Sequence, residues 1–376
     1  MSEPPPRFPK VIVTGQSGIN KKDYIDNLVK TCGNKKIKIF DFGEAMYKEA
    51  EKSGAKIELG KILSLPLLRL NMIRRSVFKD LIRMCEKEPD CNIIINTHSC
   101  FRWERGLFHA FDFDLLKEFA PSMYITLIDD VDAIHYRLEK REDPHAVDFS
   151  LKDIMVWREE EIITTEMIAM DQEKPHFVLP RLNPSDTILK LMFCPNLRKA
   201  YLSFPITKVR DKPEIVEKIQ AFRNLMAAKL IVFDPYTIQE KRLTVLAHEA
   251  SQRGEEAIEV ETCGEKKNFK TSDILAIEKD IDGQIISRDF KLIDQSDIIV
   301  AFIPDVKGEP DISAGVQSEI QYGHDLPREV YVIWPSEKEP SIWIQKMTTK
   351  IFQGEKAFEE AIDFFSKKGF LDQKSG

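Results

Sequence analysis

Short apolar runs and longer amphipathic segments alternate along the first half of the chain. Five runs are apolar enough for strands that are buried on both faces, as in a parallel sheet. These runs are residues 11–15, 37–43, 92–99, 123–128 and 176–179. Helical periodicity fills much of the sequence between them, most clearly at 67–81 and 151–169. Strands that alternate with helices in this way predict a parallel α/β sheet.

The second half of the chain shows the same alternation. Its apolar runs, which predict four further strands, are residues 200–207, 230–235, 298–303 and 330–334. Helices are predicted at 213–228, where Pro213 suits the first turn, and at 356–367, whose apolar stripe we interpret as core packing. Pro195 and Asn196 break the helix that ends near residue 193, so we place a domain boundary there. The prediction is an α/β protein with two parallel-sheet, three-layer domains, residues 1–195 and 196–376.

Residues 239–270 interrupt the second half with a heavily charged segment, which is predicted to be helical over 240–253. Its pattern is compatible with a lid, an oligomer contact or a solvated face. We favour the solvated face, because exposed charge is the usual state of such residues.

Composition limits the possible partners. A chain of 376 residues exceeds the usual size of a single core, in agreement with two domains. The net charge of -7 argues against broad binding to a nucleic acid polymer. The six cysteines form no C-x-x-C pair and no zinc-like cluster, so we expect reduced thiols and no metal site. No run approaches the roughly 20 apolar residues of a membrane helix, and the amino terminus does not resemble a signal peptide. We therefore expect a cytoplasmic protein without a membrane partner.

The loop after the first predicted strand resembles a phosphate-binding loop. Gly15, Gly18 and Lys21 stand between a strand and a helix, an arrangement in which backbone N–H groups and a lysine hold phosphates. The pattern is incomplete, because Asn20 replaces the second glycine and Lys22 replaces the Ser or Thr that would hold magnesium. An active kinase site, a nucleotide-binding remnant and a structural turn all remain open.

A pair of carboxylates stands out in the second half. Asp289 lies in an amphipathic helix that runs into the buried strand 298–303, and Glu319 lies one turn into the next helix. Open α/β sheets bind ligands at the carboxyl ends of their strands, which makes Glu319 a candidate nucleophile or general base. The alternatives are a carboxylate favoured by the helix dipole for Glu319 and a surface charge for Asp289.

These residues resemble the nucleoside 2-deoxyribosyltransferases and the related 2'-deoxynucleoside 5'-monophosphate N-glycosidases. The resemblance lies in Arg288-Asp289, Ser296-Asp297 and Ser313-Ala-Gly315-Val-Gln-Ser-Glu319. It implies a Rossmannoid domain that cleaves N-glycosidic bonds without a cofactor. Glu319 would attack the anomeric carbon, and Asp289 would handle the proton on the base.

The same resemblance implies that Ser313 and Gly315 contact a phosphate or hydroxyl of the substrate. It places Tyr201, Ser203 and Pro205 at the sugar. The loop 305–312 is longer than in that family and carries three acidic residues, which weighs against a substrate that bears a phosphate. Relatives complete the site with a neighbouring subunit, which implies a homo-oligomer.

Residues 10–195 resemble archaeal-type adenylate kinases and related P-loop nucleotide kinases. The resemblance lies in the incomplete P-loop, in Thr97-His98-Ser99 and in two arginines that touch the transferring phosphates in that family. It implies a nucleotide-binding site formed by Gly15, Gly18, Lys21, Lys22, Arg137 and Arg141. Asn96 replaces the family's metal-supporting carboxylate. Together with Lys22, this predicts that ATP binding survives while magnesium-dependent phosphoryl transfer is impaired. Solvated charges are the alternative for the two arginines.

Three functions follow from these patterns. The first is an N-glycosidase or deoxyribosyltransferase that acts on a nucleoside or nucleotide, with a kinase-like domain that binds a nucleotide. The second is a nucleotide kinase whose second domain only binds a ligand. The third is a nucleotide-sensing regulatory protein with neither activity.

Overall fold

The computed structural model describes residues 8–33, 35–54, 57–58, 61–103, 106–140, 149–184, 186–206 and 212–367. The strands are β1 (Lys10–Thr14), β2 (Ile37–Asp41), β3 (Asn92–Asn96), β4 (Cys100–Trp103), β5 (Gly106–His109), β6 (Met123–Ile128), β7 (His176–Pro180), β8 (Lys199–Ser203), β9 (Ile231–Phe233), β10 (Ala257–Thr262), β11 (Glu265–Lys270), β12 (Ile298–Phe302), β13 (Asp305–Val306), β14 (Glu309–Pro310), β15 (Glu329–Trp334) and β16 (Lys350–Gln353). The helices are α1 (Lys21–Thr31), α2 (Phe42–Lys52), α3 (Leu67–Lys87), α4 (Phe113–Phe119), α5 (Val131–Glu139), α6 (Leu151–Asp171), α7 (Thr187–Phe193), α8 (Pro213–Lys229), α9 (Lys241–Gln252), α10 (Thr271–Ala276), α11 (Glu278–Asp294), α12 (Ala314–Asp325), α13 (Ile342–Met347) and α14 (Ala357–Lys367).

The chain divides into two compact units. The first unit contains Met1–Arg181 and Gln239–Ile281, and the second contains Leu182–Ile238 and Asp282–Gly376. The division differs from the predicted ranges 1–195 and 196–376, because the charged segment returns to the first unit. The chain passes between the units after residues 181, 238 and 281, and the third of these points lies within α11.

The first unit contains a five-stranded sheet in the order β2-β3-β1-β6-β7, with every pairing parallel. All six residues of β6 are buried, as expected for a central strand in a parallel sheet. Helices α2, α3 and α4 contribute apolar side chains, such as Phe42, Phe78 and Leu116, to a core that includes Ile12 and Ile95 from the sheet. The carboxyl ends of β1 and β3 lead into the incomplete P-loop and into Thr97, respectively.

The charged segment packs as part of the first unit, so the interpretation as a solvated face holds only in part: seventeen of residues 239–270 are exposed and nine are buried. Helix α9 buries Leu243 and Ala247, and β10 alternates between exposed and buried side chains. The buried face of the β10–β11 hairpin includes Ile258 and Phe269. Alternate side chains of a strand point to the same face, so that face can be buried even when charged residues occupy the positions between them.

The second unit contains a five-stranded parallel sheet in the order β16-β15-β12-β8-β9. Strand β12 is central and wholly buried. Tyr201 of β8 pairs with Ile299, and Ser203 pairs with Ala301. Tyr201 and Ser203 are two residues apart, so their side chains lie on the same face of the sheet. Helix α14 adds Ala361 and Phe365 to the core, which confirms the predicted stripe.

The prediction of an α/β fold with parallel sheets is confirmed. All nine predicted strands are present, and the described residues also contain β16 and the hairpins β4–β5, β10–β11 and β13–β14. Among the described residues, no helix combines the length and the apolar character that crossing a lipid bilayer requires.

Candidate functional site

In the second unit, Glu319 lies within hydrogen-bonding distance of two hydroxyl groups from β8. Tyr201 Oη donates to Glu319 Oε1 at 2.9 Å, and Ser203 Oγ donates to Glu319 Oε2. Both donors are fully buried. Glu319 lies in the second turn of α12, which follows the carboxyl end of β12 and a short hairpin. Both donors come from β8, so the sheet holds each oxygen of the carboxylate through a separate hydrogen bond.

Asp289 and Arg288 of α11 complete this carboxylate site. Arg288 Nε and Nη2 donate to Asp289 Oδ1 at 3.1 and 3.0 Å. The Asp289 side chain is 15% exposed, so its carboxylate retains some access to solvent, whereas Arg288 is buried. The charges of Asp289 and Arg288 act on Glu319, which places this pair near the carboxylate that Tyr201 and Ser203 bind.

Burial sets the protonation of the carboxylate site. It raises the pKa of Glu319 to about 7, and the nearby charge of Asp289 acts in the same direction. The hydroxyls of Ser203 and Tyr201, followed by Arg288, oppose this rise. Burial also raises the pKa of Asp289, which Arg288 partly offsets. Burial thus opposes ionisation of both carboxyl groups, and carboxyl groups perturbed in this way are typical of acid–base catalysts.

Of the other predicted substrate-binding residues, two lie at the start of α12 and one lies beyond the end of β8. Ser313 precedes α12, and its Oγ accepts a hydrogen bond from Val316 N at 3.2 Å, so it caps the helix. Gly315 is exposed in the first turn. Pro205 is buried two residues beyond β8.

A surface groove of about 500 Å³ lies beside the carboxylate site in the second unit. Phe290, which follows Asp289 in the sequence, and Ser318, which precedes Glu319, both line the groove. Neither Asp289 nor Glu319 is part of its wall. The Phe290 and Tyr322 rings stack there with centroids 4.1 Å apart. The groove and the carboxylate site are therefore separate features of the second unit.

In the first unit, the incomplete P-loop retains the backbone of a tight phosphate-binding turn. Gly15 and Gly18 have φ of 138° and 90°. A Cβ at Gly18 would lie 2.9 Å from Ile134 Cγ2, so no side chain fits there without displacement. Asn20 has φ of 61°, in the left-handed region that asparagine tolerates better than most residues. This explains how the loop accommodates the loss of its second glycine.

Lys21 begins α1 and points back into the loop. It is buried, its Nζ donates to Gly15 O, and the His98 ring nitrogens lie 3.3 and 3.4 Å from the same atom. Lys21 and His98 line a cleft of about 260 Å³, and Arg74 and Asp41 contribute to the same wall. The amino terminus of a helix and a lysine at the floor of a cleft favour an anionic ligand.

The two residues at the expected magnesium position are each bound to an acidic side chain. Lys22 pairs with Glu44, and its side chain is 56% exposed. Asn96 Nδ2 donates to Asp41 Oδ2 at 2.8 Å. Among the residues that the structure describes, no group of three His, Cys, Asp or Glu side chains is placed to hold a metal ion. The donor set therefore fits a phosphate better than a magnesium ion.

Arg137 supports the loop itself. Its Nη1 donates to Gly18 O at 2.8 Å, and its Nη2 donates to Asp129 Oδ2 at 2.6 Å. The side chain is 18% exposed. Arg141, the other predicted arginine, lies outside the described residues.

Sequence reasoning missed two buried charged residues near the P-loop. Glu161 accepts hydrogen bonds from Gly15 N, Ser99 N and Cys100 N at 2.8–3.0 Å, and so ties together the loops after β1 and β3. Arg74 is buried in α3, where burial lowers its pKa to about 10, and it donates to Asn71 at 2.7 Å. Both residues fall on apolar helix faces, and this was the signal in the sequence that could have revealed them.

Comparison with known proteins supports one of the two resemblances. The family AAA_17, described as an AAA domain, matches residues 14–155. Adenylate kinases from Pyrococcus abyssi (strain GE5 / Orsay) and Pyrococcus furiosus (strain ATCC 43587 / DSM 3638 / JCM 8422 / Vc1) are 26% and 24% identical over 117 residues, 31% of this chain. Residues 14–155 of the first unit are thus similar to a P-loop nucleotide kinase. The chain spans 58% of the length of each of these curated relatives, and the family match ends before the carboxylate site.

Solved structures of kinases also resemble part of the chain. A sugar kinase from Janibacter sp. HTCC2649 is 17% identical, with 50% of this chain and 93% of that chain covered and a TM-score of 0.30. The shikimate kinase from Bacteroides thetaiotaomicron is 12% identical, with coverage of 49% and 97% and a TM-score of 0.32. Scores this low support no argument about fold or function.

Proposed function

We propose that the second unit cleaves the N-glycosidic bond of a nucleoside or nucleotide, with Glu319 as the nucleophile and Asp289 as the acid. The observation that carries this proposal is the Glu319 carboxylate held between the hydroxyls of Tyr201 and Ser203, with the Arg288–Asp289 pair beside it. The sequence resemblance to the deoxyribosyltransferases supports the same roles. Enzymes that cleave bonds at an anomeric carbon usually use two carboxyl groups with distinct surroundings.

The reaction begins with ionised Glu319. One carboxylate oxygen attacks the anomeric carbon as the bond from that carbon to the base nitrogen breaks, through a transition state with oxocarbenium character. The two hydroxyl donors keep the carboxylate in one rotamer, so little reorganisation is required during attack. A covalent ester between Glu319 and the sugar results.

The departing base takes its proton from Asp289. A raised pKa keeps a fraction of this carboxyl group protonated closer to neutral pH, and Arg288 stabilises the carboxylate after proton transfer. Water then attacks the ester and makes the protein a hydrolase, or a second base does so and makes it a transferase. In the hydrolase case, Asp289 takes the proton from the water.

The first unit, in this proposal, binds a nucleotide such as ATP. Lys21 and the backbone of the loop 15–20 would hold its phosphates, supported by the similarity to adenylate kinases. A bound nucleotide would supply a transferable phosphoryl group. Lys22 and Asn96 are engaged with Glu44 and Asp41 and do not fit the usual magnesium role, so we assign no phosphoryl-transfer step.

A nucleotide kinase is the second candidate function, favoured by the adenylate kinase relatives and by the proximity of Lys21 to His98. Conversion of ATP to ADP that depends on an added nucleoside monophosphate would support it. Such turnover should disappear in Lys21→Ala and persist in Glu319→Gln.

Chromatographic detection of free base tests the proposed function. The intact protein is incubated with a panel of ribonucleosides, deoxyribonucleosides and their 5'-monophosphates, with and without ATP and magnesium. We expect base release from at least one compound, and its loss in Glu319→Gln, whose circular dichroism and thermal unfolding should show a folded protein. Release of base at the wild-type rate by Glu319→Gln, or no release from any compound, would refute the proposal.

A further inference from the structure

Ser203 was expected to contact the substrate sugar, but its surroundings indicate a different role. The residue is fully buried at the end of β8. Its Oγ donates to Glu319 Oε2, while Tyr201 donates to the other oxygen of the same carboxylate. A serine hydroxyl has a single hydrogen to donate. Because that hydrogen lies on Glu319, it is not available to a substrate oxygen.

We propose that Ser203 is a positioning residue for Glu319 and makes no contact with the substrate. This role rests on the proposed function for its effect on the reaction, but the interaction itself does not depend on any substrate. Ser203 would fix the side-chain rotamer of the nucleophile and favour its ionised form.

The groups around Glu319 explain why such a donor matters. Asp289 from α11 opposes ionisation of Glu319 through its charge, whereas Arg288 from the same helix favours it. From β8, the hydroxyls of Ser203 and Tyr201 favour the ionised form, and of the two Ser203 has the larger effect. Arg288 is already bound to Asp289. Ser203 is therefore the strongest group that offsets burial and the neighbouring carboxylate.

The kinetic test compares pH profiles of base release. A hydrogen bond to a charged group has a strength that corresponds to about one pKa unit or more, so Ser203→Ala should move the acid limb upward by about one pH unit. Base release at pH 6 should then fall about tenfold and recover at pH 9, with KM unchanged within about twofold. Ser203→Thr, which keeps the hydroxyl, should restore the wild-type profile.

Ser296→Ala is the matched control. Ser296 is also buried in the second unit, but its Oγ donates to Leu292 O at the end of α11. Its profile should match that of the wild type. A tenfold rise in KM for Ser203→Ala with an unmoved acid limb would instead indicate substrate contact and overturn the proposal. A loss of equal size at every pH would also overturn it.

A direct titration separates this inference from the proposed function. The protein is labelled with glutamate that carries ¹³C at the side-chain carboxyl, and the Glu319 signal is assigned by its absence in Glu319→Gln. We expect the midpoint of this signal to rise by about one pH unit in Ser203→Ala. An unchanged midpoint would overturn the proposal even if base is released, whereas a shifted midpoint without any base release would refute only the proposed function. Ser203→Cys, a weaker donor of similar size, replaces Ser203→Ala if that variant does not fold.

Discussion

Glu240 forms the main buried ion pair between the charged segment and the rest of the first unit. Arg158 Nη1 and Nη2 donate to Glu240 Oε1 and Oε2 at 2.5 and 3.0 Å, and Val131 N donates to Oε1 at 2.9 Å. The side chains of Arg158 and Glu240 are 4% and 0% exposed. Truncation of Glu240 would therefore leave a buried guanidinium without its carboxylate.

We expect Glu240→Ala to lower the free energy of unfolding of the first unit by about 3–5 kcal/mol, the usual loss when one partner of a buried ion pair is removed. Glu240→Gln keeps the shape and loses the charge, so a smaller loss of about 1.5–3 kcal/mol is expected. Replacement of both partners, as in Arg158→Met with Glu240→Leu, should cost less, about 1–3 kcal/mol, because neither charge of the pair then remains buried and only Val131 N loses its acceptor.

Denaturant unfolding with two probes measures this effect. Tryptophan fluorescence reports on both units, since Trp103 and Trp157 lie in the first and Trp334 and Trp343 in the second. Hydrogen exchange read by mass spectrometry then assigns the lost stability to residues 239–281 and to their contacts.

Glu259→Ala provides the control within the same segment. Its pair with Lys266 is exposed, so its loss should cost about 1 kcal/mol or less. A cost for Glu240→Ala as small as that of Glu259→Ala would refute the reasoning. A double variant as unstable as Glu240→Ala would show that the loss does not come from the unpaired charge of Arg158.

Three further predictions concern the two candidate sites. Since the pKa of Glu319 rises to about 7 on folding, its ionisation penalty is absent below the unfolded pKa of about 4.5 and grows to about 3 kcal/mol above pH 7. Glu319→Gln should therefore be more stable than the wild type at pH 8 and equally stable at pH 4, and equal stability at both would contradict the assigned pKa. Lys21→Ala should weaken ATP binding about 10–100-fold by calorimetry, whereas Lys30→Ala at the far end of α1 should not, and unchanged affinity in Lys21→Ala would reduce the loop to a structural turn. Gly18→Ala should destabilise the first unit by about 1–3 kcal/mol, because of its positive φ and the contact with Ile134, and a thermal unfolding curve that matches the wild type would contradict this.

The parallel sheets were predictable because their signal is local. The run around β6 is apolar at every position except Thr126 and is buried throughout, as expected for a strand covered on both faces. The motif that suggested Glu319 and Asp289 is also local in the sequence, and their catalytic roles stay predictions. The hydrogen bond of Ser203 was not predictable, because it depends on how closely α12 approaches β8.

The domain division was harder to predict for a physical reason. The segment 239–281 follows a strand of the second unit, and its charges resemble those of a solvated surface. The segment belongs to the first unit because of contacts such as the one between Arg242 and Asp132. These two residues are 110 positions apart in the sequence. Composition and periodicity describe each partner alone and do not pair them.

Helix α6 shows what a sequence can reveal about such pairs. Ile154, Arg158, Glu161 and Thr165 recur at the spacing of one helix face, and all four are buried. A charged residue within an apolar stripe requires a polar partner, because burial of an unpaired charge is costly. The pattern therefore indicates that polar partners exist, but it does not identify them. The partner of Arg158 is Glu240, 82 residues later, and Glu161 accepts a hydrogen bond from Gly15 N, 146 residues earlier. Only the fold determines which residues pair. The free energy of unfolding of the Glu240 variants measures the contribution of one such pair, Arg158 with Glu240.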